Sequence, residues 1–368
     1  MKVSLDVTAV PARPAGAGRY VVELAGQLAR SPDVDMVYIA RKNDAARWDA
    51  LDVTSRTRAV APALRPLRLA WEQLALPGEL HRSAVEVHHA PHYTMPERAR
   101  VPTVVTIHDM TFFDNPEWHE RSKVALFRRA IRVAVERADH LIAVSGDTAR
   151  RIRERFGEVD ISVIPHGIDH ERFHPRASAD ESRMLGDIGI PERYIGFVGT
   201  IEPRKNLPHL IQAFDRIAGD YPDLHLVIAG QRGWGLDSFE SALASSRHTD
   251  RIVITGYLPE QAVPALLRQA SVVAYPSLAE GFGLPALEAL ACGAPLVSTT
   301  GSAVEEVVGG TAMLVPPGDV NALASALDRT IREPDQQRIS TGLAIAGRFT
   351  WAASAAAHID VYRKVRKR

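Results

Sequence analysis

Glu280-Gly-Phe-Gly-Leu-Pro-Ala-Leu-Glu288 gathers two carboxylates, two glycines and a proline into one short run. Pro285 suits the first turn of a helix and Gly293 its C′ position, which predicts a helix over Pro285–Cys292. Glu288 then falls in the first turn and Glu280 in the preceding loop, so the two acids reach a ligand from different elements. Gly281 and Gly283 let backbone N–H groups approach closely, and the helix N-terminus adds partial positive charge. The combination suits a bound phosphate with a sugar or ribose hydroxyl on each Glu; the plainer alternative is a loop charge and a first-turn charge favourable to the helix dipole.

Glu202-Pro-Arg204-Lys205-Asn206 places adjacent cations in a strand-to-helix loop. They can neutralise a diphosphate, Arg as a fork and Lys as a point charge, or form a solvated turn. Gly16-Ala-Gly18-Arg-Tyr20 opens a helix with apolar Tyr20, Val21, Leu24 and Leu28. Its G-x-G lacks the third glycine of the dinucleotide fingerprint, which counts against an NAD or FAD enzyme but leaves a phosphate or polar-substrate turn. Thr106-Ile-His108-Asp109 ends a strand, where His108 can bond a sugar hydroxyl with Asp109 orienting it. His88, His89 and His92 share one strand-loop run without helical metal-ligand spacing, so no metal site is expected. Neither G-x-S-x-G nor a Cys beside a His relay occurs, and the lone Cys292 sits in apolar ALACG, which disfavours acyl or peptide hydrolysis.

Short apolar runs alternating with amphipathic stretches must position these groups, a pattern of βα units feeding parallel sheets. Strands are predicted at Lys2–Val7, Met36–Ala40, Val85–His88, Thr103–Ile107, His140–Val144 and Ser162–Ile164. Helices are predicted at Ala17–Arg30, Leu69–Leu80, Ser122–Ala138 and Gly146–Phe156. The pattern lapses over Pro165–Pro191, read as an interdomain linker. It resumes with strands at Tyr194–Val198, Leu224–Ala229, Ile252–Thr255, Val272–Tyr275, Leu296–Ser298 and Ala312–Val315. Ligands of open α/β sheets bind at strand carboxyl ends, so a cleft between two sheets is the expected site.

The length of 368 residues suits two domains at about 150 residues each. Lys plus Arg and Asp plus Glu both number 44, so no global basic field draws nucleic acid and any anion must be held locally. One cysteine, an N-terminus without a signal-peptide pattern and no long apolar run make a cytoplasmic protein the expectation. Arg121–Arg137 sets Val124, Phe127, Ile131 and Val135 at helical spacing among cations. It reads as a helix lying on anionic lipid at the inner membrane face, or as an ordinary basic surface helix.

Together, Gly16-Ala-Gly-Arg-Tyr20, Ile107-His-Asp109, Gly199-Thr-Ile-Glu-Pro-Arg-Lys-Asn206, the Glu280 to Glu288 run and Phe349-Thr-Trp351 resemble, in motif order, the retaining glycosyltransferases of family 4. The resemblance covers essentially the whole chain. It implies an α/β GT-B fold of two Rossmann-like domains facing a central cleft, with the C-terminal helix crossing back to the first. Residues 1–175 with 352–368 would bind the acceptor, and 176–351 the nucleotide-sugar donor. It further implies that Glu280 contacts the donor sugar, Glu288 the ribose and His108 the sugar, while Arg204 and Lys205 clamp the diphosphate. Gly16, Gly18, Thr200, Gly281, Phe282, Gly283 and Leu284 would complete the donor site. Many relatives carry an Arg near the position of Thr200; its absence here leaves the division of the clamp between Arg204 and Lys205 open.

The implied reaction moves a hexose to a hydroxyl of a glycan or lipid-linked acceptor in cell-envelope polysaccharide or glycolipid synthesis. It needs no cofactor or divalent metal, because fixed cations, helix dipole and backbone N–H groups meet the charge that grows on the leaving diphosphate. GTIEPRKNL resembles mannosyltransferase-type members, pointing to GDP-mannose ahead of UDP- or dTDP-sugars. An epimerase or phosphorylase on the same fold, or a catalytically silent nucleotide-sugar-binding subunit, are the alternatives; intact Glu280, Lys205, Glu288 and His108 argue against silence.

Overall fold

The computed structural model describes residues 1–51 and 56–367; Arg368, where the expected first domain ends, lies outside them. The chain divides into two compact units, Met1–Gly167 with Trp351–Arg368, and Ile168–Thr350.

Among the described residues the first unit holds seven strands: β1 Lys2–Asp6, β2 Asp35–Arg41, β3 Arg56–Ala61, β4 Val87–Ala90, β5 Thr103–Ile107, β6 His140–Ala143 and β7 Ile161–Val163. They pair in parallel in the order β3-β2-β1-β4-β5-β6-β7. The second holds β8 Tyr194–Val198, β9 His225–Ala229, β10 Ile252–Gly256, β11 Val272–Tyr275, β12 Leu296–Thr299 and β13 Met313–Val315, parallel in the order β10-β9-β8-β11-β12-β13. Both orders reverse direction once, at β1/β4 and at β8/β11, and such switch points open crevices at strand carboxyl ends. Strands β4, β5, β6, β11 and β12 are buried along their whole length, the signature of sheets covered on both faces by helices.

Where the chain departs from its sequence pattern, the reasons are local. The expected helix Leu69–Leu80 is two helices, Arg65–Leu74 and Leu76–Arg82, because Pro77 cannot continue the first. Strand β3 and the short helix Ala45–Asp49 went unread, since RTRAVA carries two arginines on an edge strand. The expected strand Val85–His88 sits two residues later. Pro165–Pro191 is no linker throughout: the helix Glu181–Asp187 lies within it, tied to helix Ala262–Gln269 by the nearly buried ion pair of Glu181 with Arg268. The division falls at Gly167/Ile168, where the Ile168 N–H donates to the Phe349 carbonyl at 3.1 Å and holds Ile168 in the second unit.

The C-terminal helix Trp351–Arg366 returns to the first unit and packs on helix Ala17–Ala29. Trp351, Ala355, Ile359 and Tyr362 join Val3, Leu5, Tyr20 and Leu24 in one core. A buried polar chain pins it further. His358 Nδ1–H donates to the Ser354 carbonyl at 2.7 Å, so its Nε2 accepts from the Tyr20 hydroxyl at 2.8 Å. Tyr20 in turn accepts from Thr106 at 3.0 Å, Thr106 from His89 Nε2–H at 2.8 Å, and His89 Nδ1 from Tyr362 at 2.7 Å. Each donor is forced by its neighbour once the carbonyl end is set. Burial holds His358 down at about 4 and His89 far below its usual range, which keeps both imidazoles neutral as the chain requires.

Candidate active site

In the second unit, the segment after β8 tightens into the turn Pro203–Lys205, and Asn206 in a left-handed conformation leads into helix Leu207–Ile217. The segment after β11 carries Glu280. These two loops flank the β8/β11 switch point and bring Lys205, Arg204 and Glu280 together.

Lys205 Nζ donates to Glu280 Oε1 at 2.5 Å and to the Tyr275 hydroxyl at 2.6 Å; that hydroxyl donates to Glu280 Oε1 at 2.8 Å. Arg204 pairs with Glu280 Oε2, bonds the Ala279 carbonyl at 3.0 Å, and pairs with Glu202 Oε1 at 2.6 Å. The Arg204 carbonyl accepts from the Leu278 N–H at 2.8 Å, stitching loop to loop. The cations expected to stand ready for a diphosphate are therefore engaged with Glu280 and Glu202. Two cations and two carboxylates sum to zero, and Glu280, Lys205 and Glu202 are all buried.

Burial would raise the Glu280 pKa, but Arg204 and Lys205 outweigh it and hold the carboxyl at about 2. Glu280 is thus a permanent anion at neutral pH, a good hydrogen-bond acceptor and a poor base. Burial, with Arg204 beside it, pulls Lys205 below its ordinary value, while Glu280 opposes that shift. Because the Glu280 pKa is depressed on folding, its stabilisation is present above the ordinary value of 4.5 and is lost as pH falls toward about 2. In that window, Glu280→Gln should flatten acid-induced loss of stability relative to the parent, read by thermal melts at stepped pH; parallel curves would refute the assignment.

The helix after this loop is Leu284–Ala291, not Pro285–Cys292. Gly283 caps it at φ 96°, a left-handed conformation that strains any side chain, and a Cβ there would come within 2.6 Å of Val304. With the helix starting one residue earlier, half-buried Leu284 is its first residue and Pro285 the second. Glu288 is buried in the second turn, beyond the first-turn position expected of it. Phe282 is buried edge-on to Phe349 at 5.9 Å, and Gly281 is half-buried beside it. Thr200 is half-buried after β8, where the neighbouring Ile201 N–H bonds the Gln231 carbonyl at 3.0 Å.

In the first unit, Gly16 caps helix Ala17–Ala29, and Gly18 lies against Pro11. His108 follows β5, buried among the rings of Tyr20 at 5.1 Å, His92 at 5.7 Å, Tyr93 at 5.7 Å and His166 at 5.9 Å. Its Nε2 lies 2.8 Å from the Pro91 carbonyl, which can only accept, so Nε2 carries the proton. Burial lowers its pKa and keeps it neutral, which leaves Nδ1 as an acceptor for a hydroxyl. Asp109 does not set this orientation: its Oδ1 accepts from the Thr111 N–H and hydroxyl, and the Pro91 carbonyl does the orienting. His88 bonds Ser4, and His89 bonds Thr106 and Tyr362. Among the described residues no group of three or more His, Cys, Asp or Glu is placed to hold a metal ion. Buried Cys292 has its thiol pushed up to about 12.

Sequence reading missed Tyr275, Glu202 and Pro91, whose roles are contacts across loops. Tyr275 ends the buried strand β11, where apolar neighbours give no sign of a polar role. The helix Arg121–Arg137 also differs from expectation. Phe127 and Ile131 belong to a core of the first unit and half-buried Val124 and Val135 pack against it, so the apolar stripe of this helix faces inward. Arg128 bonds the Phe112 carbonyl, and Arg129 and Arg137 pair with Glu97. Among the described residues no helix is long and apolar enough to cross a membrane.

Two family models match in succession: Glycosyltransferase Family 4 over residues 14–172 and Glycosyl transferases group 1 over residues 192–333. The O-antigen chain mannosyltransferase B of Escherichia coli is 29% identical over 308 residues, covering 82% of this chain and 78% of that protein. The D-inositol 3-phosphate glycosyltransferase of Corynebacterium jeikeium is 31% identical over 283 residues, covering 72% and 67%. The sucrose-phosphate synthase structure from Thermosynechococcus elongatus superimposes with a TM-score of 0.80 at 22% identity, covering 99% of this chain and 98% of that one. Two parallel-sheet units of this kind make a two-domain α/β protein of the GT-B fold. The chain belongs to glycosyltransferase family 4 and is a glycosyltransferase.

Proposed function

We propose that this glycosyltransferase moves mannose from GDP-mannose, with retention of configuration, to a hydroxyl of a glycan or lipid-linked acceptor in cell-envelope polysaccharide or glycolipid synthesis. The observation that carries the reading is the neutral cluster of Glu280, Arg204, Lys205 and Glu202 at the carboxyl ends of β8 and β11. Similarity to an O-antigen mannosyltransferase supports the sugar. The second unit is the donor side, with the diphosphate drawn to Arg204, Lys205 and the N-terminal end of helix Leu284–Ala291. Glu288 takes the ribose, and Gly281, Phe282 and Gly283 offer backbone N–H groups.

When the diphosphate arrives, Arg204 and Lys205 exchange part of their bonding to Glu280 for phosphate oxygens. Glu280 is thereby freed to accept from a sugar hydroxyl. As a permanent anion it is ill suited to take the acceptor proton, so the leaving phosphate takes it while the acceptor attacks from the same face. His108, with Nδ1 as acceptor, bonds a sugar hydroxyl, the turn at Gly16 and Gly18 approaches the donor phosphate, and the first unit takes the acceptor. The charge is met by side chains and backbone, so this chemistry calls for no divalent metal. The reading places the protein in the cytoplasm.

Incubation with GDP-, UDP- and dTDP-sugars, watching which nucleotide is released, tests the donor: GDP from GDP-mannose is expected, and release from none, with or without acceptor extract, counts against the reading. Glu280→Gln should abolish turnover without rescue by azide. Rescue giving an inverted product would replace same-face attack by a double displacement through Glu280.

A further inference from the structure

Helix Arg65–Leu74 carries its amphipathic pattern inside out. Its buried residue is Glu72, whose carboxylate accepts from the Thr94 hydroxyl at 2.8 Å and from Gln73 Nε2 at 2.9 Å. Arg68 reaches inward to the Thr8 carbonyl at 3.0 Å. Leu67, Ala70 and Leu74, at i, i+3 and i+7 on one face, are exposed instead, with Leu64 at the N-cap extending the stripe. Leu64, Leu67 and Leu74 are 67%, 56% and 82% exposed, three of the seven large exposed apolar side chains among the described residues. A water-facing helix normally sets such residues toward its core, so a contiguous stripe turned outward marks a contact surface.

The charge around the stripe is one-sided. Residues 56–83 contain five arginines and two glutamates in a chain whose overall formal charge is zero. Both glutamates are buried; exposed Arg58 and Arg82 pair with Glu79 at 2.6 and 2.7 Å, and Arg56 and Arg65 are exposed besides, so a surplus of positive charge remains at the rim. The Arg65 guanidinium lies 5.8 Å from the Phe127 ring of helix Arg121–Arg137.

We propose that helix Arg65–Leu74 docks on an anionic lipid bilayer, its leucines entering the interface and the surrounding arginines meeting phosphate headgroups. Leucines on one side and cations at the rim are the arrangement that lipid phosphate over acyl chain complements. A second copy of this chain is disfavoured, since a symmetric contact would set these arginines against themselves. The proposal goes beyond the transfer reaction and moves the lipid contact from Arg121–Arg137, whose apolar face is packed away, to a neighbouring helix.

Flotation with vesicles of phosphatidylcholine alone and of phosphatidylcholine mixed with phosphatidylglycerol tests it on the whole chain. The parent should float with the mixed vesicles only, and Leu67→Glu with Leu74→Glu should lower the bound fraction about tenfold. Both leucines are exposed, so the pair should melt like the parent. Absence of parent binding, equal binding to both vesicles, or a double variant that floats like the parent overturns the proposal. So does a parent dimer that the same pair of substitutions converts to monomer. No donor or acceptor enters the assay, so its failure leaves the transfer reading untouched.

Discussion

Lys205→Met is expected to lower kcat by about two to three orders of magnitude, the loss typical of removing one donor aimed at developing charge. The cluster at the β8/β11 switch point is neutral as it stands, and loss of the Lys205 charge leaves it at minus one at the place proposed for the donor diphosphate. Two unit charges about 4 Å apart interact by about 4 kcal/mol at the effective dielectric of such sites, enough to account for a loss of that size. KM for the donor should rise as well, because the cation acts on bound donor and on the departing diphosphate alike. Glu280→Gln has the opposite sign: the cluster becomes positive, so donor affinity should hold or improve while turnover falls. Steady-state kinetics on both variants, alongside thermal melts, check the pair. A Lys205→Met kcat within tenfold of the parent would remove Lys205 from the mechanism.

Gly230→Ala should be the most damaging single methyl in the second unit. A Cβ on Gly230 would lie 1.9 Å from the Gly199 carbonyl oxygen and 2.6 Å from its carbon. That neighbour is backbone and cannot swing aside as a side chain does. Gly230 N–H also donates to the Gly256 carbonyl at 2.8 Å, and Gly199 N–H to the Ala229 carbonyl at 2.9 Å, so the ends of β8, β9 and β10 are tied together here. The overlap can be relieved only by moving the segment that begins at Gly199 and leads to Arg204 and Lys205. A stability loss of about 3 to 5 kcal/mol is expected, with turnover falling even where the variant stays folded. Chemical denaturation gives the first number and nucleotide release at a temperature below the melt gives the second. Gly233→Ala, whose Cβ would lie 2.7 Å from the Ile201 carbonyl, should fall in the same direction.

Much of this was legible from the chain alone, for physical reasons that differ by element. The inner strands β8, β9, β11 and β12 of the second sheet announce themselves because a strand covered on both faces must be apolar at nearly every position, and such runs, bounded by glycine and proline, have few other homes; edge strands β10 and β13 are half-buried but keep apolar IVI and MLV. Edge strand β3 is wetted and carries Arg56 and Arg58, so its pattern is that of a loop. The Glu280 to Glu288 run and the Arg204-Lys205 pair were visible because glycine, proline and charge at strand ends have local causes.

What Glu280 does with its charge was not visible. A carboxylate bracketed by Arg204, Lys205 and Tyr275 depends on two loops separated by about seventy residues, and only the parallel pairing of β8 with β11 makes them neighbours. His108 shows the same limit: its sequence neighbour Asp109 was the obvious partner, yet the turn after β4 brings the Pro91 carbonyl to its Nε2 and so chooses the tautomer.

By itself, the sequence determined two α/β units, most of the strands that build them and a set of candidate residues for a nucleotide sugar, because burial and turn geometry act over short spans of chain. Only the tertiary structure decided which of those residues pair, where the C-terminal helix is pinned, and that the leucines of Arg65–Leu74 face outward. A parallel sheet joins segments far apart in sequence, and hydrogen-bond direction and charge balance are properties of the groups so joined.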